Sequence, residues 1–187
     1  MKALNYFTVL FSFALFLLLG CSDQSQSPVA PSQQVSLEKL VRMDFTAFSY
    51  PTGNIDPGEH IYANGNVFLR NRIDNLKTES TNSFINATNG IITYNVNLDA
   101  NTAEGYGWGT VTFTPDAHPE LEVTGKWNGK ITMTSPGEWT LLAKLVGHIR
   151  GGSTNGMQIF WDNIVIYHDP SATYWEGNAA GYIQYSD

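Results

Sequence analysis

The chain has 187 residues and a formal net charge of −7 at neutral pH, from 10 basic and 17 acidic side chains. Its length suits one ordinary domain with a real hydrophobic core. The acidic charge argues against nucleic acid as a partner, because binding phosphates requires clustered Lys and Arg. The single cysteine excludes an intramolecular disulfide.

The amino-terminal segment predicts a lipid anchor. Lys2 precedes an apolar run over residues 6–19, which is shorter than the roughly 20 apolar residues of a membrane span and is typical of a secretory signal peptide. The run ends in "LLGC", which resembles the lipobox of bacterial lipoproteins. That resemblance implies a signal peptide over residues 1–20, cleavage before Cys21 and acylation of its thiol. A plain signal peptide with a chance cysteine is the alternative.

Residues 21–35 predict a flexible, lipidated tether, because Ser, Gln and Pro predominate and little there can build a core. The tether leads to a predicted domain over residues 36–187. Two or more acyl chains hold a protein stably at a bilayer, so we expect a membrane partner and a location in a bacterial cell envelope. The lipobox resemblance favours the outer membrane, because Ser22 stands where an aspartate retains enteric lipoproteins at the inner membrane.

The rest of the chain predicts β-strands almost throughout, since apolar residues recur with a period of two. Turn-rich segments such as "SYPTGNIDPGE" and "RGGSTNG" separate these strands. Helix has room only near residues 36–41 and 78–86. The predicted strands cover residues 37–49, 61–73, 91–99, 106–114, 121–134, 139–149, 157–167 and 174–185.

Two of these strands indicate clearly which face is buried. In residues 91–99 and 121–134 the apolar residues alternate with polar ones, and the predicted inward positions are Ile92, Tyr94, Val96, Leu98, Val123, Gly125, Trp127, Gly129, Ile131 and Met133. We interpret the glycines beside Trp127 as space for its ring or as a sign of strong curvature. Eight strands with short connections can close a small barrel, and an all-β, eight-stranded antiparallel barrel is therefore predicted. A β-sandwich is the alternative architecture.

Four segments carry a resemblance to a known superfamily. "GYGWGTVTFTPD", "TGKWNGKITM", "LVGHIRGGSTNGMQIFWD" and "GYIQ" follow one another over residues 105–184, and the similarity as a whole spans about residues 59–184. Their order resembles that of the motifs in the allene oxide cyclase and dirigent superfamily of eight-stranded barrels, particularly its secreted bacterial members. The plant cyclases isomerise a fatty-acid epoxide inside the barrel with a buried carboxylate and ordered water. Because their catalytic residues cannot be aligned onto this chain, the resemblance assigns none here.

Asp162 is the first candidate for an acid or base. It lies among apolar residues on a predicted strand, where a carboxylate that is buried without a partner costs several kcal/mol. If it points into a cavity, it could transfer protons; the alternative is an outward or rim acid bonded to a neighbouring strand. Glu176, beside Trp175, and Asp44 raise the same question. Arg42, two residues before Asp44, favours a structural ion pair there.

The loop "DAHPE" places Asp116, His118 and Glu120 at alternating positions. In an extended backbone their side chains could form a metal site with nitrogen and oxygen ligands. The alternative is an ordinary exposed turn shaped by its prolines. The sequence contains no Ser-His-Asp spacing, phosphate loop or helix-borne His pair, and we predict no cofactor.

The five tryptophans all fall on predicted strands. They either fill the barrel or, in the case of Trp127 and Trp161, line a pocket for an apolar ligand. Three functions follow from these alternatives. The protein binds a small apolar molecule in or at the mouth of the barrel, or serves as a surface scaffold that assembles as a homo-oligomer, or isomerises a lipid epoxide as the superfamily resemblance implies.

Overall fold

A computed structural model describes residues 40–152, 156–168 and 174–186. They form nine strands: β1 Leu40–Asp56, β2 Glu59–Ala63, β3 Asn66–Ser80, β4 Ala87–Asp99, β5 Glu104–Phe113, β6 Glu122–Ser135, β7 Glu138–Arg150, β8 Met157–Tyr167 and β9 Trp175–Ser186. The part of the chain covered by these ranges has no helix with the length and apolar character needed to cross a membrane. The predicted signal peptide, Cys21 and the predicted tether lie outside the described residues.

The strands close an eight-stranded antiparallel barrel. Each strand from β3 to β9 pairs with the next, and β1 pairs with β9 on one side and with β3 on the other. The short strand β2 pairs with the part of β3 that β1 does not reach, so β1 and β2 lie one after the other along β3. The predicted barrel is confirmed, and the β-sandwich alternative is wrong.

Two predicted boundaries are wrong near the start of the barrel. Residues 61–73 were expected to form one strand, but Asn64 and Gly65 turn the chain with φ angles of 51° and 78°, as in the Asn-Gly hairpin turns that require positive φ at both central residues. Residues 50–56, expected as a loop, continue β1. The possible helix over residues 78–86 is also wrong, because residues 78–80 belong to β3 and residues 81–86 form turns.

The inward faces follow the sequence alternation closely. Tyr94, Trp127 and Ile131 are buried as expected, whereas Met133, at the end of β6, is 39 % exposed. The space for the Trp127 ring comes mainly from the neighbouring strand β5. A Cβ added at Gly107 would lie 3.3 Å from the ring and one added at Gly109 would lie 2.9 Å from its Nε1, so any side chain there would displace the indole.

A β-bulge in β3 determines which of its residues face the barrel interior. Leu69 pairs with Val96 and Arg72 with Tyr94, so Arg70 and Asn71 both stand opposite one residue of β4. Asn71 has a φ of 55°, and its backbone N–H donates to Asn95 Oδ1 at 3.0 Å. Because one extra residue reverses the alternation, the inward residues after the bulge are Arg72, Asp74, Leu76 and Thr78.

Candidate functional site

A small cavity lies inside the barrel, with a volume of about 40 Å³. Its lining extends along β8 and β9 to their last register pair, Tyr167 and Trp175. Its walls are mostly aromatic and aliphatic, and they include Tyr94, Trp127, Trp161, Asn163, Tyr167 and Trp175. The tryptophans predicted as pocket residues, Trp127 and Trp161, do line this cavity; their binding of a ligand stays a prediction.

Three polar atoms on cavity-lining residues are buried without a hydrogen-bond partner among the described residues. They are the indole nitrogens Trp127 Nε1 and Trp175 Nε1 and the amide oxygen Asn163 Oδ1. A buried polar group without a partner costs about 1–3 kcal/mol, and native proteins leave few of them. The residues that line the cavity therefore carry two buried donors and one buried acceptor without partners among the described residues.

Small residues surround the amide of Asn163. Its register neighbours are Ala143 on β7 and Ala179 on β9, and a Cβ added at Gly177 would lie 3.1 Å from Asn163 Oδ1. Asn163 stands at an inward position, between Trp161 and Val165 along β8. The alternation of β8 indicates this inward position, although Asn163 was not among the predicted site residues.

A polar group of four residues lies next to the cavity, and we call it the Asp74 cluster: the buried Arg72, Asp74 and Tyr94 and the exposed Asn54. Asp74 is fully buried. Arg72 Nε donates to both carboxylate oxygens at 3.2 and 3.1 Å, Asn54 Nδ2 donates to Oδ1 at 2.7 Å, and the Tyr94 hydroxyl donates to Oδ2. Among the described residues, no other acid is buried to this degree.

Two buried tyrosine hydroxyls stay protonated, that of Tyr94 in the Asp74 cluster and that of Tyr167. Burial, followed by the hydrogen bond to Asp74, raises the pKa of Tyr94 far above its ordinary value. Burial and the negative charge of Asp74 likewise raise the pKa of Tyr167. Both phenols therefore remain neutral hydrogen-bond donors across the physiological pH range.

The Asp74 cluster was not predicted, because the predicted strand ended at residue 73, whereas β3 continues to Ser80, and because the bulge was not anticipated. Without the extra residue, the alternation from Leu69 would turn Asn71 and Ile73 inward and leave Asp74 outside. A signal was nevertheless present: Lys77 and Glu79 share one face of the strand and form an ion pair at 2.9 Å. Long charged side chains of this kind favour the solvent face, which assigns Asp74 to the interior.

The acids singled out from the sequence lie outside the barrel. Asp162 is 79 % exposed and lies 4.0 Å from Lys144 Nζ, so the condition that it points into a cavity is not met. Glu176 stands at an outward, half-buried position opposite Ile166. Asp44 is exposed and accepts a hydrogen bond from Arg42 Nε at 2.8 Å, which is the structural pair expected from their spacing.

The three candidate metal ligands do not converge. Asp116 accepts hydrogen bonds from the backbone N–H and hydroxyl of Thr88 at 2.9 and 2.7 Å, and the first of these is the main reason that its pKa is lowered. His118 stacks on Phe84 with ring centroids 4.3 Å apart and lies 3.7 Å from Glu120. The described part of the chain holds no group of three or more His, Cys, Asp or Glu placed to bind a metal.

No family model, no curated protein and no solved structure matches this chain. The resemblance to the allene oxide cyclase and dirigent superfamily therefore rests on the quoted motifs. The observed barrel is compatible with that superfamily, and membership stays a prediction.

Proposed function

We propose that the barrel interior binds a compact, largely apolar molecule that carries a hydrogen-bonding group. The observation that carries this proposal is the set of buried polar atoms without partners on Trp127, Asn163 and Trp175, all on residues that line one cavity. The apolar walls would hold the body of the ligand, and the indole N–H groups and the amide oxygen would fix its orientation.

The size of the cavity supports a compact ligand. A buried water takes up roughly 10–15 Å³ of such space, so about 40 Å³ holds about three waters or a ligand group of similar size. Pockets for drug-sized ligands are roughly 300–1,000 Å³. A long-chain lipid epoxide therefore fits only if several interior side chains move, which places the isomerase hypothesis behind simple binding.

Native mass spectrometry of the full chain, purified gently from its own cell envelope, tests this proposal. We expect an added mass from a bound small molecule, and we expect it to be lost in Asn163→Leu and Trp175→Phe. Trp139→Phe is the matched control, because Trp139 Nε1 is also buried without a partner in the described residues but does not line the cavity. A clean mass for the folded protein, with no uptake from a panel of short alcohols, ketones and amides, would contradict it.

A second candidate, proton-transfer catalysis, is favoured by the Asp74 cluster. Tyr94 lines the cavity, and its single O–H donates to Asp74; if that O–H turned from Asp74 to a bound epoxide or carbonyl oxygen, it could polarise the ligand there. Isomerisation of an epoxide should then be lost in Tyr94→Phe and retained in Asp162→Asn, whose carboxylate lies outside the barrel. Equal activity in wild type and Tyr94→Phe would remove this candidate.

The outer surface supports a third candidate, a scaffold that assembles as a homo-oligomer. Leu142 on β7 is 60 % exposed and stands opposite Ile164 on β8, which is 52 % exposed. Exposed apolar surface is a feature of association sites. Analytical ultracentrifugation should show an oligomer for the wild type and a monomer for Leu142→Glu; a wild-type monomer at micromolar concentration would contradict this candidate.

We further propose that Cys21 is acylated and that the protein is held in a bacterial envelope, with the outer membrane favoured. The proposal rests on the "LLGC" sequence after the apolar run. Labelling with a palmitate analogue should mark the wild type and spare Cys21→Ser. Labelling that persists in Cys21→Ser would contradict lipidation at this residue.

A further inference from the structure

The outer face of β3 to β5 carries a strip of aromatic and cationic side chains that is separate from the cavity. We call it the Trp108 strip, and it consists of Phe68, Arg70, Tyr106 and Trp108. Arg70 lies between the aromatic side chains, with its Cζ 5.1 Å from the centre of the Phe68 ring and 5.5 Å from that of the Trp108 ring. We propose that this strip binds a chain of acidic sugars.

The aromatic rings have the placement that a sugar ring needs. The planes of Tyr106 and Trp108 lie within 29° of each other with centroids 6.1 Å apart, and Tyr106 is 46 % exposed. The negative face of an aromatic ring attracts the weakly positive C–H groups on the flat side of a sugar. Trp108 lies between Asn95 and Asn128 in the sheet register, so amide groups flank the ring and can bond sugar hydroxyls.

Arg70 provides a prepared site for a carboxylate. Arg70 follows the inward Leu69 and therefore projects from the outer face, where Nη1 donates to the carbonyl oxygens of Leu69 and Val96 at 2.9 and 2.8 Å, and Nη2 donates to Asn97 Oδ1 at 2.6 Å. These bonds hold the group in place but use only three of its five N–H donors. Within the described residues, one donor on Nε and one on Nη2 have no partner, and such donors bind carboxylates strongly.

The charge around the strip differs from that of the whole protein. Lys130 and Lys126 project outward from β6, opposite Tyr106 and Thr110. Lys130 is paired with Glu104 at 2.7 Å, and Asp99 accepts from the Asn101 N–H at 2.8 Å. Glu59 on β2 stands opposite Arg70 in the register. Arg70 and Lys126, which have no ion-pair partner among the described residues, suit a uronate chain with one carboxylate per sugar better than a polyphosphate, which requires clustered cations.

Isothermal titration of the full chain at low salt tests this inference, with polygalacturonate and its methyl ester as probes. We expect binding to polygalacturonate that Trp108→Ala and Lys126→Gln each weaken by about tenfold, and much weaker binding to the methyl ester, which has the same backbone without the charge. Lys126→Gln keeps the inference testable if Trp108→Ala does not fold.

Tyr182→Ala is the matched control on another outer face. There Arg42 also lies over a tyrosine ring, at 3.9 Å, and Phe160 stacks on the same ring at 5.1 Å, but Asp44 and Asp162 supply negative charge nearby. This variant should bind polygalacturonate as the wild type does. The inference would be overturned by no binding at millimolar probe, by equal binding of the methyl ester, by an equal loss in Tyr182→Ala, or by tighter binding of single-stranded poly(dT).

Discussion

Replacing Asp74 by alanine should destabilise the barrel strongly. The change removes a fully buried carboxylate that accepts hydrogen bonds from Arg72, Asn54 and Tyr94. Removing one partner of a buried ion pair costs about 3–5 kcal/mol, out of a total stability of about 5–15 kcal/mol. For a domain of this size, each kcal/mol corresponds to about 2–4 °C, so we expect the melting temperature to fall by about 10 °C.

Asp44→Ala is the matched control, because Arg42 and Asp44 repeat the same Arg-x-Asp spacing on the outside of the barrel. Their side chains are 60 % and 72 % exposed, and exposed pairs contribute about 0–1 kcal/mol. Urea unfolding followed by tryptophan fluorescence measures both free energies. A loss below about 1 kcal/mol in Asp74→Ala, equal to that in Asp44→Ala, would refute the assignment of Asp74 to a buried ion pair.

Three further predictions concern pH and the backbone. The folded-state pKa values of Tyr94 and Tyr167 are raised, so above about pH 10 the folded protein binds more protons than the unfolded chain. The free energy of unfolding should therefore fall there by about 1.4 kcal/mol per pH unit for each tyrosine. Urea unfolding at several pH values should show this fall in the wild type and not in the variant with both tyrosines replaced by Phe. Asn71 has a positive φ, which a β-branched residue adopts only with strain and glycine adopts freely. Asn71→Val should therefore lower the free energy of unfolding by about 1–2 kcal/mol, and Asn71→Gly should not. Equal free energies of unfolding for the two variants would contradict the bulge. A Cβ at Gly109 would lie 1.8 Å from the Thr93 carbonyl oxygen. The melting temperature of Gly109→Ala in a calorimetric scan should therefore be several degrees below that of the wild type. An unchanged melting temperature would show that β4 and β5 do not pack so closely.

Much of the barrel could be predicted because its alternation is regular. The faces of β4 and β6 were read correctly from Tyr94 and Trp127, since one buried face and one solvated face give a period of two. The hairpin at Asn64 and Gly65 was missed although the Asn-Gly pair was visible, because the apolar residues on both sides suggested one continuous strand.

The candidate site was harder to predict than the fold. The sequence contains Arg-x-Asp twice, at Arg42–Asp44 and at Arg72–Asp74, and nothing in the short motif itself distinguishes the exposed pair from the buried one. The difference comes from the bulge at Asn71 and from the closure of β1 onto β3, which brings Asn54 to Asp74. Both features arise from how neighbouring strands pair, and the sequence of one strand does not specify that pairing.

The most direct test of ligand binding in the cavity is the indole N–H spectrum of the full ¹⁵N-labelled chain, which has five tryptophans. The proposal predicts that a compact ligand, either recovered with the protein or drawn from the panel of short alcohols, ketones and amides, shifts the resonances of Trp127 and Trp175 and leaves that of Trp139 in place. Shifts confined to the outward Trp108, or equal shifts of all five signals, would contradict binding inside the barrel.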